Sequence, residues 1–132
     1  MPGVNEIPPF PNSGVWLIKE DDHIAVWEEV FEPGKPTAPH RHTRDYIAIF
    51  PNAGEVTIQP LAGEPEVYTI IAGHAEALPT ENGRMRSSLT AATIVHSQVP
   101  AESHSHFAVN EGPQVVLMIL IELKGTATER KQ

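Results

Sequence analysis

The sequence predicts an all-β protein, folded as a closed antiparallel sandwich or barrel. Proline occupies 13 of the 132 positions, about twice its usual share of roughly 5%. Inside a helix, proline removes a hydrogen bond and clashes with the preceding turn, so long helices are not expected. Eight or nine short runs of apolar, β-branched or aromatic residues follow one another. Turn-forming residues separate these runs at intervals of roughly 8–12 residues, the spacing typical of sandwiches and barrels.

The chain begins with a proline-rich stretch at 1–14, which predicts an irregular arm. In the run 24–31, Ile24, Val26 and Val30 share one face with Glu28, because alternate residues of a strand point to the same side. The predicted strands, in order, are 15–19, 24–31, 46–50, 55–59, 67–71, 91–99, 104–109 and 115–123.

The last predicted strand, 115–123, is almost wholly apolar. It is too short to span a membrane, and it predicts a central strand buried on both faces. The residues at 74–90 fit either a helical turn or a long surface loop. We therefore expect one barrel domain at 15–124, followed by a polar tail at 125–132.

Charge and composition exclude several classes of function. The chain has 9 Lys and Arg against 17 Asp and Glu, a formal net charge of −8. No basic stripe is present for nucleic acid, and an acidic chain is not attracted to anionic membranes. The sequence has no cysteine, which excludes disulfides, thiolate metal sites and cysteine nucleophiles. No apolar signal segment opens the sequence, so we expect a soluble cytoplasmic protein.

Two His-x-His pairs are the main functional signal. Four of the seven histidines form the pairs His40/His42 and His104/His106, where random placement predicts about 0.4 pairs. Residues i and i+2 of a strand lie on the same face, so two imidazoles at this spacing can approach one metal ion and a second strand can supply a third ligand. A solvated loop is the alternative for either pair alone.

His96 lies in the middle of a predicted strand and shares a face with Gln98. Such a residue is either a hydrogen-bonded polar group of the core or part of a pocket wall. For His23 and His74, which lie in predicted turns, a surface position is expected.

These motifs resemble those of the cupin superfamily. Gly34-KPTAP-His40-Arg-His42 matches the first half of the first cupin motif, and Gly54 lies where its closing glycine falls. His106-FAV-Asn110 matches the end of the second motif. The resemblance covers roughly 24–124 and implies a cupin-type double-stranded β-helix, an antiparallel jelly-roll barrel.

The chain departs from the cupin pattern at the metal-binding glutamate of the first motif. That residue would fall at position 46 or 47, which hold Tyr46 and Ile47. Asp45 is next to this position, but strand parity points it away from the histidines. The site therefore resembles that of the three-histidine cupins, such as thiol dioxygenases, with Tyr46 near the metal or packed in the core.

The resemblance implies a divalent transition metal bound by His40, His42 and His106. His106 is preferred to His104 because it alone has the His-x3-Asn spacing. Histidine ligation by itself does not choose among Fe, Mn, Ni, Cu and Zn. The resemblance also implies a pocket inside the barrel, with Tyr46, His96 and Gln98 as wall residues that contact a small molecule, and a homodimer to which the arm contributes.

Three functions fit these expectations. The first is a metal-dependent enzyme, an oxygenase or an isomerase, acting on a small organic molecule. The second is a non-catalytic cupin that binds or senses a small ligand. The third is a structural module with a decayed site, which the missing glutamate suggests. Neither nucleic acid nor membrane is expected as a partner.

Overall fold

The computed structural model describes residues 6–79, 84–101 and 103–126. Within these residues the chain forms eleven strands. No helix long and apolar enough to cross a membrane occurs in this described part of the chain. The strands are β1 (Val15–Glu20), β2 (Ile24–Phe31), β3 (His40–His42), β4 (Tyr46–Phe50), β5 (Gly54–Gly63), β6 (Val67–Ala72), β7 (Ala75–Pro79), β8 (Met85–Leu89), β9 (Thr93–Gln98), β10 (His104–Asn110) and β11 (Val116–Leu123).

Two antiparallel sheets face each other. One sheet has the order β1-β2-β11-β4-β9-β6, and the other has the order β3-β10-β5-β8-β7. Every pairing between these strands is antiparallel. Strands that are distant in sequence pair with each other, as expected for a jelly roll, so the predicted all-β antiparallel fold is confirmed.

The stretch 74–90 is a hairpin rather than a helical turn or a surface loop. Its strands β7 and β8 pair over Ala75↔Leu89 to Pro79↔Met85. The hairpin was missed because the sequence of β8, MRSSL, has little β-branched or aromatic character. Residues 80–83, between the two strands, lie outside the described part of the chain.

Strand β11 is central, between β2 and β4, but it is not buried on both faces. Its side chains alternate between buried and more exposed. Val116, Met118 and Leu120 point into the core, whereas Leu117 is 38% exposed. In a two-sheet sandwich each sheet covers the inner face of the other and leaves the outer face uncovered. An apolar run therefore does not by itself imply a strand that is buried on both faces.

The N-terminal arm packs against the barrel of its own chain. The Phe10 N–H donates to the Arg41 carbonyl at 2.8 Å, and the Arg41 N–H donates to the Pro8 carbonyl at 2.9 Å. Ile7 and Phe10 are buried. The described part of the arm, from residue 6, therefore runs along β3 and contributes to the core. Residues 1–5 and most of the predicted polar tail, 127–132, lie outside the described residues.

Asn110, the last residue of the second motif, holds the end of β10 in place. Its buried side chain donates to the carbonyls of Phe31 at 2.9 Å and Gln114 at 2.6 Å, and accepts from the Gly112 N–H at 2.9 Å. These bonds join the β10–β11 turn to β2. The His-x3-Asn spacing thus combines a site residue with a structural residue of the same strand.

Candidate metal centre

Three histidines meet on the inner face of the β3–β10 pair. The register sets His106 opposite His40 and His104 opposite His42. The ring centroids of His40, His42 and His106 lie 4.7–4.9 Å apart. One nitrogen from each ring lies within 4.8 Å of the others, so the three could hold one metal ion. The structure thus brings together the three residues that the sequence predicted as ligands.

The protonation of these rings suits metal binding. Burial lowers the pKa of His40, and lowers the pKa of His42 and His106 well below the usual value. A neutral imidazole is the form that ligates a metal. The Nδ1 atom of His40 lies 2.9 Å from the Ala38 carbonyl oxygen. Because a carbonyl only accepts hydrogen bonds, Nδ1 carries the proton and the lone pair of Nε2 stays free for a metal.

Two of the buried ring nitrogens have no hydrogen-bond partner among the described residues. These are Nδ1 of His42 and Nδ1 of His106. Buried polar atoms are normally paired, and an unpaired one calls for an explanation such as an ion or a partner that a small side-chain movement brings into reach. With one nitrogen of each ring within 4.8 Å of the others, the donor set fits a divalent transition metal held by His40, His42 and His106.

His104 lies beside this cluster rather than in it. Its ring is 5.1 Å from that of His106, and its Nδ1 lies 3.0 Å from the Glu64 carbonyl. It forms a second group that could hold a metal, with Glu66 and His106. Between the two candidates that the sequence left open, only His106 joins His40 and His42.

Glu66 is a buried carboxyl group that the sequence reasoning missed. It lies in the turn between β5 and β6, and the Tyr46 hydroxyl donates to its Oε2 at 2.8 Å. Its Oε1 is 3.9 Å from Nδ1 of His106. Burial raises the pKa of Glu66 to about 8. No motif spacing identifies this residue, since the β5–β10 register and its irregularity at Ser105/His106 bring the turn to the site.

Tyr46 and Asp45 occupy the region where the first motif lacks its glutamate. The Tyr46 ring is 4.6 Å from the His42 ring, while its hydroxyl points to Glu66. Asp45 is buried and accepts from the Val99 N–H at 2.8 Å, a bond that joins two segments of the barrel. Asp45 belongs to neither histidine group, as strand parity predicts.

A cavity of about 390 Å³ lies between the two sheets and reaches the three histidines. Its wall is mostly apolar, with Phe31, Ile58 and Leu120 among its residues. The polar wall residues are Glu29, His40, His42, Tyr46, Tyr68, Ser87, Ser97 and His106.

His96 and Gln98 are not wall residues of this cavity, in contrast to the expectation from the sequence. Their neighbours Val95 and Ser97 line it instead. In the β4–β9 register, Ser97 lies opposite Tyr46, while His96 lies opposite Ile47. Cross-strand partners share a face, so the inward position of Tyr46 assigns Ser97 to the cavity and His96 to the outer face.

Glu29 is a second carboxyl group in the wall, and sequence reasoning missed it too. It is 4% exposed, and burial raises its pKa to about 7. Asn12 of the arm donates to Glu29 Oε2 at 3.0 Å. The apolar residues Ile24, Val26 and Val30 lie on the other face of β2. The pattern of apolar side chains therefore marked the face of β2 that does not line the cavity.

Comparison with known proteins shows likeness in structure only. No protein-family model matches the sequence, and no curated protein matches it significantly. A cupin domain protein from Bordetella pertussis Tohama I superposes with a TM-score of 0.58 at 20% identity, covering 89% of this chain and 96% of that one. A cupin 2 conserved barrel domain protein from Salinispora arenicola CNS-205 gives 0.51 at 15% identity, covering 88% and 79%.

A single-residue variant of oxalate decarboxylase from Bacillus subtilis gives a TM-score of 0.52 at 17% identity. The match covers 94% of this chain but 29% of the enzyme, for which Mn(II) centres are described. At such identities the likeness concerns the fold. Together with the two facing antiparallel sheets, it shows that this chain has the cupin jelly-roll fold.

Proposed function

We propose that this protein is a metal-binding cupin that takes a small, largely apolar organic molecule into its barrel beside a three-histidine centre. The observation that carries the proposal is the meeting of His40, His42 and His106 at the wall of a cavity of about 390 Å³. A bound divalent ion would supply a Lewis acid with open coordination positions.

The wall of the cavity indicates the kind of ligand. Among the described residues it contains no Lys or Arg, and its one carboxyl group belongs to Glu29. An anion such as oxalate would find no Lys or Arg side chain there. A neutral molecule with an apolar body fits better, because binding removes the apolar surfaces of both the molecule and the cavity wall from water.

The metal assignment is tested by metal analysis of the purified protein after loading with Mn²⁺, Fe²⁺ or Zn²⁺. Wild type is expected to retain about one ion per chain at a three-ligand site, and His42→Ala or His106→Ala to lose most of it. His74→Ala is the matched control, since His74 is exposed and belongs to neither histidine group. His104→Ala should keep the ion. Equal metal content in wild type and His42→Ala would contradict the assignment.

Enzymatic activity, as an oxygenase or an isomerase, is the more specific form of this proposal, and a non-catalytic binder is its alternative. Both use the same cavity. Oxygen consumption by the Fe²⁺-loaded protein across a set of small apolar substrates, compared with His42→Ala, distinguishes an oxygenase from a binder.

We also propose that the chain forms a homodimer. Both edge strands of the six-stranded sheet expose apolar side chains, with Leu17 of β1 46% and Val67 of β6 59% exposed. Exposed apolar edge strands are typical places for pairing with another chain. Light scattering should give about twice the chain mass of 14.4 kDa, and Leu17→Lys or Val67→Lys should lower it. A wild-type mass near that of one chain would refute the dimer.

A further inference from the structure

Glu66 and His106 are two buried groups, each with one polar atom that lacks a partner. Glu66 Oε2 accepts from the Tyr46 hydroxyl at 2.8 Å. Its other oxygen, Oε1, has no hydrogen-bond partner within the described residues, and neither has Nδ1 of His106. These two atoms lie 3.9 Å apart, so a small rotation of either side chain would bring them to hydrogen-bond distance.

Glu66 lies behind His106 as viewed from the cavity. His106 lines the cavity, while Glu66 and His104 do not. The two nitrogens of an imidazole lie on different sides of the ring. With Nδ1 next to Glu66, Nε2 of His106 is the nitrogen left to face His40 and His42.

We propose that Glu66 is the positioning residue of the metal centre. It accepts the Nδ1–H of His106 and thereby holds the tautomer in which Nε2 ligates the ion. This role rests on the metal site proposed above. A ligand histidine commonly donates its other N–H to a carboxylate or carbonyl, which fixes the ring and makes the ligating nitrogen more basic.

The other histidines differ in this respect. His40 has the Ala38 carbonyl at its Nδ1, whereas His42 has no partner there among the described residues. A distant turn thus supplies a glutamate near the place where the first motif lacks one. Glu66 contacts a ligand histidine rather than the metal itself. Tyr46, at the position of the missing ligand, holds Glu66 through its hydroxyl.

The affinity of the protein for Zn²⁺, measured by competition with a chromophoric chelator, tests this role. Removing such a partner typically weakens metal binding about 10- to 100-fold. Glu66→Ala should show a loss of this size, and Glu66→Gln a smaller one, because an amide oxygen can still accept the Nδ1–H of His106. Glu64→Gln, at an exposed position two residues earlier, is the matched control and should bind as wild type does.

NMR of the ¹⁵N-labelled, Zn²⁺-loaded wild type adds a second readout: which nitrogen of His106 carries the proton and which binds the metal. His106, assigned through its own backbone resonances, should carry its proton on Nδ1 and the metal on Nε2. Metal on Nδ1 would overturn the proposal, because Glu66 would then be placed to ligate the ion with His104 and His106.

The two proposals fail in different ways. If wild type binds Zn²⁺ through His42 but Glu66→Ala and Glu66→Gln bind equally tightly, only the role of Glu66 is overturned. If wild type binds no Zn²⁺, both the metal site and the role of Glu66 are overturned.

Discussion

At the scale of single residues, Glu29 combines an acidic side chain with an apolar setting. It lines the cavity together with Phe31 and the histidines, and Asn12 is its hydrogen-bond partner. Burial disfavours the charged form of a carboxyl group, which is why its pKa rises from 4.5 to about 7. At neutral pH a proton is therefore bound far more strongly by this carboxyl group than by an exposed glutamate.

This pKa predicts that Glu29 makes the fold less stable as the pH rises. Between pH 4.5 and about 7 the folded chain holds a proton on Glu29 that the unfolded chain releases, so the free energy of unfolding falls over this range. The full effect is at most about 3 kcal/mol. Glu29→Gln should remove it, and urea denaturation at pH 5 and pH 8 measures the difference.

Other groups titrate in the same range, so the comparison with a control variant is essential. Glu66 acts in the same direction as Glu29, while the buried histidines, whose pKa values are lowered, act in the opposite one. Glu28→Gln, at the neighbouring position of β2, is the control for replacing a glutamate of this strand by glutamine. If the pH dependence of Glu29→Gln equals that of wild type, the assignment to Glu29 is wrong.

At the scale of the elements, the motif glycines are explained by two different constraints. Gly34, in the turn after β2, has a φ of 76°, a conformation that glycine adopts at little cost. Gly54 opens β5, and a Cβ there would collide with the side chain of Val116 in β11. Val116 is fully buried and β-branched, so it cannot move aside easily.

Gly54→Ala should therefore destabilise the protein by overpacking, by about 1–3 kcal/mol. Gly112→Ala is the control, because a Cβ there meets only ordinary contacts, the nearest at 3.5 Å. In a Val116→Ala background the cost of Gly54→Ala should shrink. Free energies from chemical denaturation decide the matter, and equal losses for Gly54→Ala and Gly112→Ala would show that close approach is not the constraint.

At the scale of the whole molecule, the proposed metal site depends on folding. His40 and His42 come from β3 and His106 from β10, and only the packed barrel brings them together. An ion that binds this arrangement and not the unfolded chain shifts the folding equilibrium toward the native state.

Metal binding should thus raise the midpoint of thermal unfolding. Zn²⁺ at about 100 times its dissociation constant adds about 2.7 kcal/mol to the stability of a protein with one site. Wild type and His74→Ala should respond alike in differential scanning calorimetry, and His42→Ala should not respond. A midpoint for wild type that does not move with saturating Zn²⁺ would contradict a folded-state site.

The sequence by itself determined the all-β class and singled out His40, His42 and His106 as candidate ligands. Prolines and turn residues cut the chain into short strands, and the period of two in a strand puts His40 and His42 on one face. The resemblance of His106-FAV-Asn110 to the second cupin motif favoured His106, and the structure places Asn110 at the end of the same strand. These are local properties, which depend on residues that are near one another along the chain.

Only the tertiary structure decided which faces and turns meet. Strand periodicity tells which residues share a face but not which face points inward, so His96 was assigned to the cavity while Ser97 lines it. For the same reason Glu29 was overlooked. The approach of Glu66 to His106 depends on which strands pair and on the register between β5 and β10, which are contacts between segments distant in sequence.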